Sequence, residues 1–216
     1  MAIEGLRPDL ELSAADRLSY LAGRVGAVTG LYDWKRYVLV AVPVSAMPPM
    51  PPRGWEAKVL RDAAPASLVP PAAAAWRLRQ GMDCIVASPV DGEAVGVSWI
   101  GEGAFDEDEA HLTFRPPLGT AWDTGLFIRP EARAGRAFAA LWAGMRAWAE
   151  ARGVEWSISR IADYNGPSRR AHARLRGREL GRVALCERRG RARVWGADRA
   201  CVTLSGERAV VELPRP

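Results

Sequence analysis

Apolar positions along the chain fall into two rhythms. Alternating or continuous apolar runs predict strands at 36–44 (RYVLVAVPV), 55–62 (WEAKVLRD), 110–117 (AHLTFRPP), 120–128 (TAWDTGLFI) and 154–161 (VEWSISRI). The first is β-branched and reads as a strand buried on both faces. Two strands flanking Asp91-Gly92 predict a hairpin over 83–101, because that dipeptide tolerates the positive φ of tight turns. Further hairpins are expected around Arg189-Gly190 and, in the tail over 200–214, around Ser205-Gly206. Helical spacing appears elsewhere. Phe138, Leu141, Met145 and Trp148 lie three, four and three residues apart, predicting a helix that runs to about Gly153. Leu10, Leu18, Leu21 and Val25 mark a helix over 9–29, and 70–81 begins with proline and ends with glycine as a helix does. A short helix follows at 167–175.

This order of elements predicts an α+β fold with a mixed, mostly antiparallel sheet and one right-handed parallel β-helix-β crossover. The stretch MPPMPPRG (47–54) has four prolines in eight residues and is read as an extended connector. It divides an N-terminal extension, helix plus strand, at 1–50 from a main domain at 51–196. Residues 197–216 are expected as a hairpin or tail packed on that domain.

Composition narrows the classes. Hydrophobic residues make up 49% of the 216, enough for a core and too many for a disordered chain. The longest apolar run, 37–47, is interrupted by proline and too short to span a bilayer; with no leader-like start, a cytoplasmic bacterial protein is expected. Cys84, Cys186 and Cys201 lack metal spacing and read as reduced thiols, so no metal is expected. A formal charge of +5 favours anionic partners. Of the 30 basic residues only Lys35 and Lys58 are lysine, which reads as a bias toward arginine codons. Trp142 and Trp148 fall in the predicted helix and Trp99, Trp122 and Trp156 in strand-like runs, so base stacking on nucleic acid is not expected. The acidic DEDEA at 106–110 reads as a solvated patch.

The chemistry concentrates in FIRPEARAGRAFAALW (127–142), where a strand crosses an Arg/Gly/Ala turn into a helix. The first turn of a helix leaves N–H groups without intrahelical partners, and its dipole is positive there, so phosphate oxygens suit it. Arg133 and Arg136 add charge, while Ala134, Gly135 and Ala137 keep bulk away. A plain strand-to-helix joint is the alternative.

GLFIRPEARAGRAFAALW resembles the pyrophosphate-loop phrase of the GNAT superfamily of N-acetyltransferases. NGPSRRAHARL (165–175) is similar to that family's downstream Asn-x-x-Ser-x-x-x-Tyr-x-x-Leu. The two phrases stand in the family's order, about thirty residues apart. Arg136 and Phe138 stand where the family has glycine or alanine, and His172 where it often has tyrosine. The resemblance implies a three-layer fold with helices on both faces, acetyl-CoA or another acyl-CoA as donor, and an amine acceptor, a small molecule or peptide. It implies a cofactor contact by the backbone of Leu126, Phe127 and Ile128, by residues 133–137, and by Asn165 and Ser168, for which helix capping is the alternative. It places His172 to assist the departing thiolate. Asp123, a carboxylate in an apolar strand, is the candidate base or amine ligand, with Glu109 and His111 behind it; a salt bridge is its alternative. Glu131 belongs to the turn. Two other readings stand beside acetyl transfer. One is a longer acyl chain, delivered by acyl-CoA or acyl carrier protein, with 37–52 lining a tunnel or forming an edge strand. The other is a binding module that has lost catalysis. A homodimer is an open possibility.

Overall fold

A computed structural model describes residues 13–133, 135–189, 191–196, 202–205 and 208–216. The chain divides into two units, Ala41–Ser159 with Val210–Pro216, and the described residues up to Val40 with Arg160–Ala209. Strands β1 (Asp33–Pro43) and β8 (Trp156–Ala162) each contribute residues to both.

In the unit built on 41–159, strands run in the order β8-β7-β4-β3-β2, with β2 at Trp55–Leu60, β3 at Asp83–Pro89, β4 at Gly96–Gly101 and β7 at Thr120–Ile128. All neighbours are antiparallel except β7 and β8, which run parallel from Thr120↔Trp156 to Asp123↔Ser159. The link between these two carries helix α3 (Arg136–Glu150), the predicted crossover. Helix α2 (Pro71–Arg79) starts on proline as expected. The β3–β4 hairpin turns at Asp91, whose φ is +61°. Helix α3 buries Ala140, Leu141, Met145 and Trp148 against β2, β3 and β4. It comes so close that a Cβ on Gly144 would meet Ile85 Cγ2 at 2.7 Å and Ala57 Cβ at 2.9 Å. Cys84 lies in this core, where burial pushes its thiol up to about 12.

A second, three-stranded sheet has the order β12-β6-β5, with β5 at Phe105–Asp106, β6 at Leu112–Arg115 and β12 at Ala209–Glu212. Phe105 and Phe114 stack on Trp122, with centroids 6.2 and 4.6 Å away. The tail therefore departs from the expected hairpin. Strand β12 pairs with β6, while β11 (Val202–Ser205) pairs with β10 (Arg191–Trp195). The stretch 106–110 also departs from a solvated patch. Glu107 and Ala110 are buried, Asp108 pairs with Arg77, and the Asp106 carbonyl accepts from Trp76 and Gln80. Asp108 and Glu109, between β5 and β6, remain exposed.

The other unit contains α1 (Ala14–Thr29), most of β1, the end of β8, α4 (Gly166–Arg174), β9 (Arg178–Arg188), β10 and β11. β1 lies between β9 and β8, so it is not an edge strand, and 37–42 are buried. Helix α1 has a capping box, with Ser13 and Asp16 bonding each other's backbone, and ends at Gly30 with φ +63°. Its apolar residues do not form its inner face. Leu18, Leu21 and Val25 face outward, and Asp16, Ser19 and Gly26 face in; Leu10 lies outside the described residues. The inner face is selected by polar partners. Trp34 Nε1 donates to Ser19 Oγ at 3.0 Å and the Tyr32 hydroxyl to the Ala22 carbonyl at 2.9 Å. Asp16 lies within 4.0 Å of Arg36, Arg169 and Arg182.

Candidate functional site

Strand β7 does not run straight to its end. Val97 pairs with Phe127, but Trp99 pairs with Thr124, so Gly125 and Leu126 together oppose Ser98. This is a β-bulge, and Gly125 adopts φ +63°, a left-handed angle that an L side chain resists. Beyond it Leu126 and Phe127 are exposed and Ile128 is buried. The guanidinium of Arg77, from α2, lies over the Gly125 Cα, where a side chain would otherwise stand. Arg77 is held by Asp108 at 3.2 Å and lies 5.6 Å above the Trp99 ring. Nothing in the residue pattern singled out Arg77 from its many fellow arginines.

The chain then makes one 3₁₀ turn over Pro130–Ala132, which holds the exposed Glu131, and reaches α3. Arg133 Nε donates to the Ile128 carbonyl at 3.0 Å, tying the turn to the strand end. Gly135 is the N-cap, with φ +100°, and no side chain caps the first-turn N–H groups. A Cβ on Gly135 would find nothing within 4 Å. Arg133 and Arg136 are exposed and Ala137 is buried; Ala134 lies outside the described residues. Phe138 stands beside Trp142, centroids 5.8 Å apart. Donors and two cations thus line an open turn, which fits an anionic group such as a pyrophosphate.

Asp123 is buried beneath the same strand. Ser157 Oγ donates to its carboxylate at 2.5 Å and Ser159 Oγ at 2.8 Å, both from β8, because the parallel register sets Asp123 opposite Ser159. The carboxylate thus takes hydroxyl donors from two serines.

Asn165, Ser168 and His172 lie in the other unit, on α4. Asn165 is the N-cap and its side chain accepts from the Ser168 N–H at 3.1 Å, so its oxygen serves the helix. His172 is buried, with Nδ1 2.8 Å from the Ser168 carbonyl. A carbonyl only accepts, so Nδ1 carries the hydrogen; in the neutral ring Nε2 is then the acceptor nitrogen. Asp163, two residues before Asn165, has a fully buried side chain. It pairs with Arg36 at 3.3 Å, and burial raises its carboxyl above the usual range. Glu109 and His111 are exposed.

No family model and no curated protein matches the sequence. Solved structures are similar to it in fold. A tandem GNAT protein from the clavulanic acid biosynthesis pathway shares 15% identity at a TM-score of 0.47, over 90% of this chain and 62% of that one. A GCN5-related N-acetyltransferase from Kribbella flavida shares 16% at 0.47, over 82% and 64%. One from Sphaerobacter thermophilus shares 18% at 0.47, over 82% and 58%. The chain spans less than two thirds of the length of each.

Proposed function

We propose that this chain is an acyltransferase that moves an acyl group, acetyl by default, from acyl-CoA to an amine. The observation that carries the reading is the uncapped, open first turn of α3, flanked by Arg133 and Arg136 and joined to a bulged strand end by one 3₁₀ turn. These residues would hold the pyrophosphate: backbone N–H groups and guanidinium groups are all donors, with no carboxylate between Ala132 and Trp142 to repel it.

A thioester supplies an activated carbonyl and a thiolate leaving group. The work left to the protein is orientation and charge stabilisation. Backbone N–H groups from Leu126 to Ile128, at the C-terminal end of β7, are proposed to receive the developing oxyanion. One such donor contributes about 3 kcal/mol to the rate. The amine forms its C–N bond as the C–S bond breaks with its electron pair on sulfur, and the amine then gives up one proton. Asp123 is proposed to take that proton, which requires it to release a serine hydroxyl donor. His172 is proposed, on the resemblance of 165–175, to pass a proton to the thiolate; as an acid it must act as imidazolium, since the neutral ring holds its hydrogen on Nδ1. Asn165 and Ser168 are proposed as backbone-side contacts of the donor.

The test is a thermal shift with coenzyme A, acetyl-CoA and a long-chain acyl-CoA. A ligand at a hundredfold excess over its Kd stabilises by about 2.7 kcal/mol. All three should shift wild type, and Arg133→Ala with Arg136→Ala should lose the shift while staying folded without ligand, with a slightly lower melting temperature for the lost Arg133–Ile128 hydrogen bond. An undiminished shift in that double variant overturns the pyrophosphate assignment. No shift in wild type favours a binding module, and preference for the long chain favours a longer acyl donor.

A further inference from the structure

Helix α1 wears its apolar residues on the outside. Leu18, Leu21, Val25 and Val28 are 66, 57, 45 and 79% exposed, and at spacings of three, four and three they form one stripe. Leu31, just past the helix, is 61% exposed. Scattered surface leucines need no explanation, but an ordered stripe on a helix whose polar face is turned inward marks a covered surface.

Charge identifies the cover. Arg17 and Arg24, two turns apart, are exposed along one border of the stripe, and Asp16, the only carboxylate within α1, is buried. By sequence, residues 1–40 and 160–209 hold 18 basic and 10 acidic residues, a net +8, whereas 41–159 and 210–216 hold 12 and 15, a net −3. The stripe thus belongs to the strongly cationic unit. A second copy of the chain fits poorly, since antiparallel pairing of two such helices sets Arg17 near Arg24 of the other. The stripe covers about three turns, shorter than a stable coiled coil requires. Nor does the stripe carry a polar group that would give a protein partner its register.

We propose that α1 lies in the plane of an anionic lipid surface, with the Leu/Val stripe among the acyl chains and Arg17 and Arg24 at the phosphates. The N-terminal end of α1 is held by the Ser13–Asp16 capping box, so the helix keeps its start on an exposed surface. No helix among the described residues is long and apolar enough to cross a membrane, so the contact is with one surface.

The experiment is co-sedimentation of the full chain with phosphatidylcholine vesicles, alone or mixed about two to one with phosphatidylglycerol. Wild type should bind the mixed vesicles, and do so less in high salt. Leu21→Ser with Val28→Ser should weaken partitioning by about tenfold or more, since each aliphatic side chain withdrawn from water is worth about that factor. Arg17→Glu with Arg24→Glu should abolish the preference for the anionic lipid. These positions are exposed, so circular dichroism and melting should stay at wild-type values. A folded wild-type chain that ignores the mixed vesicles overturns the proposal and leaves an acidic protein as the cover. Unchanged partitioning of the Leu21/Val28 variant overturns it too.

Discussion

Arg77 occupies the space that a side chain at position 125 would need: a Cβ on Gly125 would lie 2.5 Å from Arg77 Nη1 and 2.8 Å from Cζ. The bulge in β7 and the seat of this guanidinium are therefore one arrangement. Gly125→Ala has to bear a left-handed φ, which costs about 1–2 kcal/mol, and to push Arg77 from Asp108. Urea unfolding should show a loss of about 1–3 kcal/mol. In a double-mutant cycle with Arg77→Ala the two changes should couple, because removing the guanidinium relieves part of the clash. Strict additivity would mean that the two residues do not press on each other.

Gly144→Ala sets helix propensity against packing. Alanine gains about 1 kcal/mol in a helix interior. Its Cβ would stand 2.7 Å from Ile85 and 2.9 Å from Ala57, both in the sheet beneath, and overpacking costs about 1–3 kcal/mol. The melting temperature should fall. A rise would show that α3 can lift off β2 and β3 at little cost.

Asp16 and Asp163 respond to pH in opposite senses. Burial pulls Asp16 upward. Its bonds to Ser13 and the charges of Arg169 and Arg182 outweigh that, leaving it below the usual 3.8. Its stabilising contribution is present above that value and disappears as pH falls through the lowered one. Asp163 is raised, by burial first, against the pull of Ser19 and Arg36. Its ionised form is the disfavoured one, so its contribution is greatest in acid and declines as pH rises from about 4 through the raised value. Asp163→Asn should therefore leave stability at pH 7 unchanged or higher, and flatten the pH dependence above 4. Asp16→Ala should cost about 2 kcal/mol at neutral pH, through the lost cap and the unmet arginines, and much less near pH 2. Calorimetry from pH 2 to 8 reads both; a marked loss for Asp163→Asn at pH 7 would reverse the sign assigned to it.

Asp123→Asn separates a proton acceptor from a structural carboxylate. The amide keeps the shape and can still bond to Ser157 and Ser159. Turnover should drop by about a hundredfold or more if the carboxylate takes the amine proton, with coenzyme A binding intact. Normal turnover would leave Asp123 a structural carboxylate, held by Ser157 and Ser159.

Local rules read the hairpin at Asp91-Gly92 and the strand–turn–helix from β7 into α3 directly from sequence. Each is specified by neighbours in the chain: turn residues, alternation and helical spacing. What the sequence hid depends on partners far away. The apolar spacing of α1 located the helix but not its inner face, since Asp16 and Ser19 are drawn inward by arginines and a tryptophan up to 166 residues distant. The turn at 205–206 looked self-sufficient, yet β11 and β12 find separate sheets. Arg77 was invisible because its meaning lies in a glycine 48 residues away, at a bulge that no local pattern announces.

The pairing of β12 with β6 also sets a schedule for synthesis. Arg115 and Glu212, which meet at 3.1 Å, are separated by 97 positions. At about 5–20 residues per second, β6 waits roughly 5–20 seconds on the ribosome before its neighbour exists. Through that interval its open edge is a template for the wrong strand, so a nascent-chain binder that shelters β6 would serve this protein more than any aid to its helices.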